Sequence, residues 1–196
     1  FVGQIIHPQE WHSSIDYENK KVAVIGSGAT AVTLVPQIAK KASHVTMIQR
    51  SPTYIASVPS KYKILHLLNY ISPKFGYKII RFTNILRQRR IYRRARRNPE
   101  LVKDYLLGLV RNELPDFDIE KHFTPSYNPW EQRLCLAPDS DFFESIKQKR
   151  VSIETETIDS FSEKGVQLDS GKLIEADIIV TATGIKLQNF GGIRIF

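Results

Sequence analysis

An α/β fold with a mostly parallel central sheet is predicted by three observations. The apolar run Lys21-Val22-Ala23-Val24-Ile25 breaks into Gly26-Ser27-Gly28-Ala29-Thr30-Ala31 and continues at helical spacing through Leu34, Val35, Ile38 and Ala39. A second β-branched run, Val45-Thr46-Met47-Ile48, follows and completes a β-α-β unit, at about 30 residues the span that a parallel crossover needs. Toward the other end, residues 156–168 alternate and turn at Lys164-Gly165, and residues 176–183 form a buried apolar run that stops at Gly184. These read as a hairpin or meander and a further core strand.

The elements follow in order. Residues 1–17 read as a linker, residues 20–49 as the β-α-β unit, and residues 51–60, with Pro52 and Pro59, as a loop. Residues 61–71, 75–97 and 99–113 have helical spacing, the last stopped by Pro115, so a helical insertion is expected over about 60–115. Residues 122–138, rich in Pro, Tyr and Trp, read as an ordered loop. Residues 140–149 read as a short helix, with Asp141 near its start and Lys147 and Lys149 near its end to suit the helix dipole. Val151 to Ile153 is a strand and residues 169–172 a turn. The domain reading is a linker at 1–17, a dinucleotide-binding domain at 18–183, and a return linker at 184–196.

The glycine turn carries the first functional inference. In the pattern G-x-G-x-x-G/A, Gly26 permits a tight turn and Gly28 lets backbone approach a pyrophosphate. Ala31 stands where a third glycine would pack helix on strand. The helix that opens there aims free N–H groups and a positive dipole end at an anion, with Ser27, Ala29 and Thr30 completing the cradle. This is the Rossmann mode of dinucleotide binding. A site for NAD would put Asp or Glu at the end of the second strand to hold the ribose 2′-hydroxyl. Here the chain reads Gln49-Arg50-Ser51-Pro52. Arg50 offers a planar fork for a 2′-phosphate and Ser51 a hydroxyl donor, so the turn reads as selecting NADP(H).

Composition bounds the rest. The chain has 196 residues, 42% of them apolar and 24% charged, which is ordinary globular usage. A single cysteine, Cys135, excludes an intrachain disulfide and a cysteine-cluster metal site, and fits a reducing, cytoplasmic setting. No apolar run is long enough for a transmembrane helix, and no signal peptide is visible. His7, His12, His44, His66 and His122 show no metal-ligand spacing, and no Ser–His–Asp arrangement or paired carboxylates suggest hydrolysis. The chain starts at Phe1 and its one methionine is Met47, so the expectation is a domain cut from a longer protein.

The net charge is +8, and much of the positive charge falls on Arg81, Arg87, Arg89, Arg90, Arg93, Arg94, Arg96 and Arg97. Phe82, Ile85, Leu86 and Ile91 recur among them at roughly helical spacing. The favoured reading is a solvated basic face, or one that meets another part of a longer protein. Without a stacking platform or reading motif, nucleic acid is not the expected partner. A basic nucleic-acid- or membrane-binding module is the alternative of a different class.

Three segments together resemble the class B flavoprotein monooxygenases, and most closely the Baeyer–Villiger monooxygenases. Phe1-x-Gly3-x-x-x-His7-x-x-x-Trp11 is similar to the family fingerprint, which commonly continues with Pro or Asp where this chain has His12. The turn at residues 26–31 with Arg50 is the second segment. Ala176-Asp177-Ile178-Ile179-Val180-Thr181-Ala182-Thr183-Gly184 is the third, and resembles the strand and linker that lead back to a FAD domain. The resemblance implies an NADP(H)-binding domain whose partners are NADPH, a FAD-binding domain of the same protein and a small ketone. It implies oxygenation of that ketone to an ester or lactone with NADPH and O2. It puts Thr183 and Gly184 among the cofactor-binding residues and gives His7 a conformational role in the linker. It also makes Arg133, in Tyr127-Asn128-Pro129-Trp130-Glu131-Gln132-Arg133-Leu134, the catalytic arginine, with Gln132 where relatives often carry Lys. On the residues alone, Arg133 could instead pair structurally with Glu131 or Asp139. A nitrogen- or sulfur-oxygenating relative is the close alternative, against which Trp11 and Arg133 argue.

Overall fold

The structure, a computed structural model, describes residues 1–61, 72–185, 187 and 193. The helix expected over 61–71 and most of the return linker at 184–196 therefore lie outside the described residues. In chain order the strands are β1 (Gln4–Ile6), β2 (Lys21–Ile25), β3 (His44–Gln49), β4 (Tyr54–Val58), β5 (Leu134–Pro138), β6 (Val151–Thr155), β7 (Ile158–Ser162), β8 (Gly165–Leu168), β9 (Leu173–Glu175) and β10 (Ile178–Thr181). The helices are α1 (Ala29–Ile38), α2 (Pro73–Arg97), α3 (Pro99–Glu113), α4 (Ile119–Phe123) and α5 (Asp141–Lys147). They fall into two compact units, Phe1–Arg50 with Lys149–Phe196, and Ser51–Gln148.

In the first unit, β1-β10-β2-β3-β6 form a sheet whose neighbours all run parallel. Ala23, Ile25, Ile48 and Ile179 cluster with Val166, Leu168 and Ile174 of the antiparallel meander β7-β8-β9. Alternation along the strands turns Val22, Val24, Val45 and Met47 to the opposite face. There α1, packed on β2 and β3, buries Val32, Val35 and Ile38. Burial on both faces explains why these strands read as continuous apolar runs. In the second unit, β4 and β5 pair in parallel, and Tyr54 and Ala56 of β4 pack with Ala95 of α2 and Val102 and Leu106 of α3.

The fold class stands, and four local expectations change. Residues 1–17 are more than a linker, because β1 pairs with β10 at the sheet edge; three residues are too few to show a period. Residues 51–60 and 122–138 are not loop throughout, because each supplies one strand of the β4–β5 pair. Pro52 and Pro59 flank β4 instead of interrupting it, and the partner strand lies some 80 residues away in sequence, beyond any local pattern. The helical insertion expected over about 60–115 is part of a larger unit that also holds α4, α5 and that strand pair. A third meander strand, β9, occupies residues 173–175, which the sequence reading left unassigned between the turn and the last strand.

Candidate cofactor site

The glycine turn leaves the C-terminal end of β2, beside the end of β10. Register sets Val24 against Val180 and Ile25 against Thr181, so the two chains leave the sheet side by side. Gly26 has φ +130°, a conformation that L side chains rarely adopt, and a Cβ there would run into the Ala182 carbonyl oxygen. Its N–H donates to the Ile48 carbonyl at 2.8 Å, which ties the turn to β3 as well. Gly28 is different: φ −81° suits any residue, so conformation does not require a glycine there. Ala31 is fully buried where α1 meets the sheet, and Ala29 and Thr30 are exposed at the opening of the helix.

No side chain caps α1, and its first turn contains no acidic residue. Its positive end is left for an external anion. Arg50 follows directly on β3, is exposed, and pairs with no carboxylate among the described residues. Ser51, next to it, is exposed too.

The linker residues pack at both ends of the parallel strands, His7 at the end where the glycine turn lies and Phe1 and Gly3 at the other. Phe1 packs on the meander core, and a Cβ on Gly3 would run into the Phe1 ring and the Asp177 carbonyl. Asp177 in turn accepts from the Lys21 N–H through Oδ2 at 2.7 Å, and joins β10 to β2. His7 Nδ1 accepts from the Gln9 N–H at 3.3 Å, so Nε2 carries the proton and donates to the Gly184 carbonyl at 3.1 Å. This bond spans 177 positions of sequence and joins the two segments read as linkers. Trp11 rests edge-on against Tyr17, with ring centroids 5.6 Å apart. Thr183 and Gly184 are exposed at the end of β10.

Arg133 belongs to the second unit, at the start of β5. Its backbone is held firmly, because the carbonyl accepts from Tyr127 Oη at 3.0 Å and from Thr53 Oγ1 at 3.3 Å. Tyr54 Oη donates to the Tyr127 carbonyl at 2.7 Å, and burial pushes the Tyr54 hydroxyl pKa up to about 12. Neither structural partner considered for Arg133 forms an ion pair with it. Glu131 accepts from the backbone N–H and Nδ2 of Asn128, bonds that hold its carboxyl below the usual range. Asp139 is likewise held low by bonds from Ser60. The Arg133 guanidinium is exposed and unpaired with any carboxylate among the described residues. Trp130, three positions earlier, has φ +70°, which is uncommon for a bulky residue and typical of loops set by function. Thr53 and Tyr54 escaped the sequence reading because nothing local marks a residue as the brace of a loop 80 positions on. Among the described residues, no group of His, Cys, Asp and Glu could hold a metal, and no helix is long and apolar enough to cross a membrane.

No family model matches the chain. It is 50% identical over 196 residues to the probable FAD-binding monooxygenase AlmA of Acinetobacter baylyi, covering 99% of this chain and 39% of that protein. It is 49% identical over 195 residues to the FAD-containing monooxygenase EthA of Mycobacterium tuberculosis, covering 98% and 40% respectively. Among solved structures, it matches OTEMO in complex with FAD and NADP at a TM-score of 0.71 and 18% identity, over 95% of this chain and 43% of that one. Oxidized steroid monooxygenase bound to NADP matches at 0.72 and 20% identity, over 94% and 42%. These structures share its fold. The chain spans about two fifths of the length of the curated relatives it matches.

Proposed function

We propose that this chain, a homologue of the FAD-containing monooxygenases across the span it shares with them, is the NADP(H)-binding domain of a flavin-dependent Baeyer–Villiger-type monooxygenase. One observation carries the cofactor reading: the glycine turn at residues 26–31 is followed at the end of β3 by Arg50, with no carboxylate there. The residues suit a dinucleotide phosphate. Gly26 sets the tight turn, Gly28 brings backbone without a side chain to the opening of α1, the first turn of α1 supplies N–H donors, and Arg50 and Ser51 supply a cation and a hydroxyl for a 2′-phosphate. Thr183 and Gly184 border the turn from the end of β10. NADPH bound there supplies a hydride, and FAD, held by another domain of the same protein, is the group it serves.

Arg133 is the proposed catalytic residue. A guanidinium keeps its charge at any working pH, and a carbonyl braced by Tyr127 and Thr53 fixes where that charge sits. Such a preset cation stabilises negative charge that develops during oxygenation. The substrate class is a small ketone, converted to an ester or lactone, and the setting is cytoplasmic. Phe1, Gly3, His7 and Trp11 keep the linker in register with β10, so that its position and that of Gly184 change together.

Titration calorimetry of the chain with NADP and NAD tests the cofactor assignment. Wild type is expected to prefer NADP. Arg50→Ala is expected to weaken NADP by roughly 1–3 kcal/mol, the scale of a charge-assisted bond, and to leave NAD unchanged. Equal affinity of wild type for both nucleotides would overturn it.

A further inference from the structure

The helix α2 has no task in the cofactor site, and its composition is unlike that of the rest of the chain. Its 25 residues include ten Lys and Arg and no Asp or Glu. The whole chain carries +8, so removing these ten charges leaves −2 for everything else. The basic character of this protein is therefore a property of one helix. No acidic residue occurs anywhere from Ser51 to Asn98, and no cation of α2 is ion-paired among the described residues. Arg94, Arg96 and Arg97 complement the negative end of the helix dipole. That accounts for three of the ten.

The apolar residues of α2 are as unusual as its charges. Phe75 is 55% exposed, Tyr77 61%, Phe82 62% and Ile85 51%, and Ile91 and Tyr92 are also exposed. Phe75, Ile79, Phe82 and Leu86 follow a 4-3-4 spacing and so share one face. The helix is held at its C-terminal end, where Ala95 packs with Tyr54, Ala56, Val102 and Leu106. In the preceding five turns Gly76 is buried and Ile79, Ile80 and Leu86 are half-buried, while the six exposed apolar side chains stay in solvent.

We infer that α2 docks this protein on an anionic lipid surface, lying in the headgroup layer with Phe75 and Phe82 inserted and its arginines against lipid phosphates. The charge selects an anionic partner, and the exposed Phe and Ile side chains decide which kind. A duplex backbone rewards Arg and Lys but gives nothing to exposed aliphatic and phenyl groups, whereas a lipid interface rewards both. The inference is independent of the cofactor reading, since no residue of it belongs to that site.

Vesicle co-sedimentation tests it, with vesicles of phosphatidylcholine alone and of phosphatidylcholine with roughly a third phosphatidylglycerol. The chain is expected to bind only the anionic vesicles and to release as salt rises from about 0.1 to about 0.5 M. Phe75→Ser with Phe82→Ser, and separately Arg87, Arg89, Arg90 and Arg93 each changed to Gln, should lower binding about tenfold or more. All six positions are exposed, so thermal melts should match wild type. In a third variant, Phe82→Trp, added anionic vesicles should shift the new tryptophan emission to the blue. Failure to bind, equal binding to neutral vesicles, or no change in either multiple variant would overturn the inference. So would release of the bound protein by duplex DNA at the same salt, or absence of binding by the longer monooxygenase proposed above, whose other parts would then cover α2.

Discussion

Gly26 answers to two constraints at once. Its φ of +130° excludes ordinary side chains, and its Cβ position is filled by the carbonyl of Ala182. Gly28 is free of the first, since its backbone is ordinary. The pair therefore separates folding from binding. Gly26→Ala is expected to cost about 1–3 kcal/mol of stability, because strain and collision act together, and to abolish nucleotide binding. Gly28→Ala, at an ordinary φ, should leave the urea midpoint within experimental spread and still weaken NADP, because the new methyl group stands where a pyrophosphate would approach the backbone. Equal loss of stability in both variants would mean that the glycines serve the turn alone. Arg133 gives the same kind of separation. Its side chain is exposed and in no ion pair among the described residues, while its carbonyl, which accepts two hydrogen bonds, survives substitution. In the longer monooxygenase proposed above, Arg133→Ala should melt near wild type and lose the proposed ester formation by the equivalent of about 3 kcal/mol or more, the scale of removing a preset charge from a dry site. Normal ester formation by a folded Arg133→Ala would remove this residue from the chemistry.

Among the elements, the join of α3 to α5 shows how charge sets pH dependence. Glu113, the last residue of α3, accepts from Lys147 Nζ at 2.8 Å and from Ser140 Oγ at 2.6 Å. These bonds, the lysine first, hold its carboxyl below the usual glutamate range against the opposing effect of burial. A depressed carboxylate contributes stability that is complete above its unfolded value, about 4.3, and is lost as pH falls through the folded value. Thermal melts of wild type and Glu113→Gln should therefore differ most near about pH 7 and converge toward about pH 3. A difference that stays constant across that range would assign the loss to packing. How legible an element was in the sequence follows the range of the forces that form it. The β2-turn-α1-β3 unit announced itself because propensity, period and glycine placement agree within 30 residues or so. The β4–β5 pair did not, because each strand is defined by the other and by Ala95, Val102 and Leu106 packed over it. The arginine loop was legible as a motif but not as a geometry. Nothing in its residues foretold that Thr53, Tyr54 and Tyr127 brace it, or that Glu131 and Asp139 are engaged elsewhere.

At the scale of the whole molecule, one glycine-rich turn serves 196 residues, while curated relatives described as FAD-containing are matched over only 39–40% of their length. A protein that uses two dinucleotides needs two such cradles, because each pyrophosphate needs its own helix end and its own close backbone approach. The turn at residues 26–31 has an arginine at the end of the following strand, a feature that suits the 2′-phosphate of NADP and that FAD, which lacks one, does not use. The sequence thus indicates which nucleotide the turn suits, at the C-terminal end of the sheet's central strand. It follows that the 196-residue chain should purify colourless. Added FAD should leave its thermal midpoint unchanged, whereas NADP should raise it in proportion to the logarithm of concentration, as any ligand that binds only the folded state must. The measurements are an absorption spectrum after purification and melts over a series of each nucleotide. Stoichiometric flavin in the purified chain, or stabilisation by FAD and not by NADP, would reassign the turn to the flavin and leave Arg50 as a surface charge.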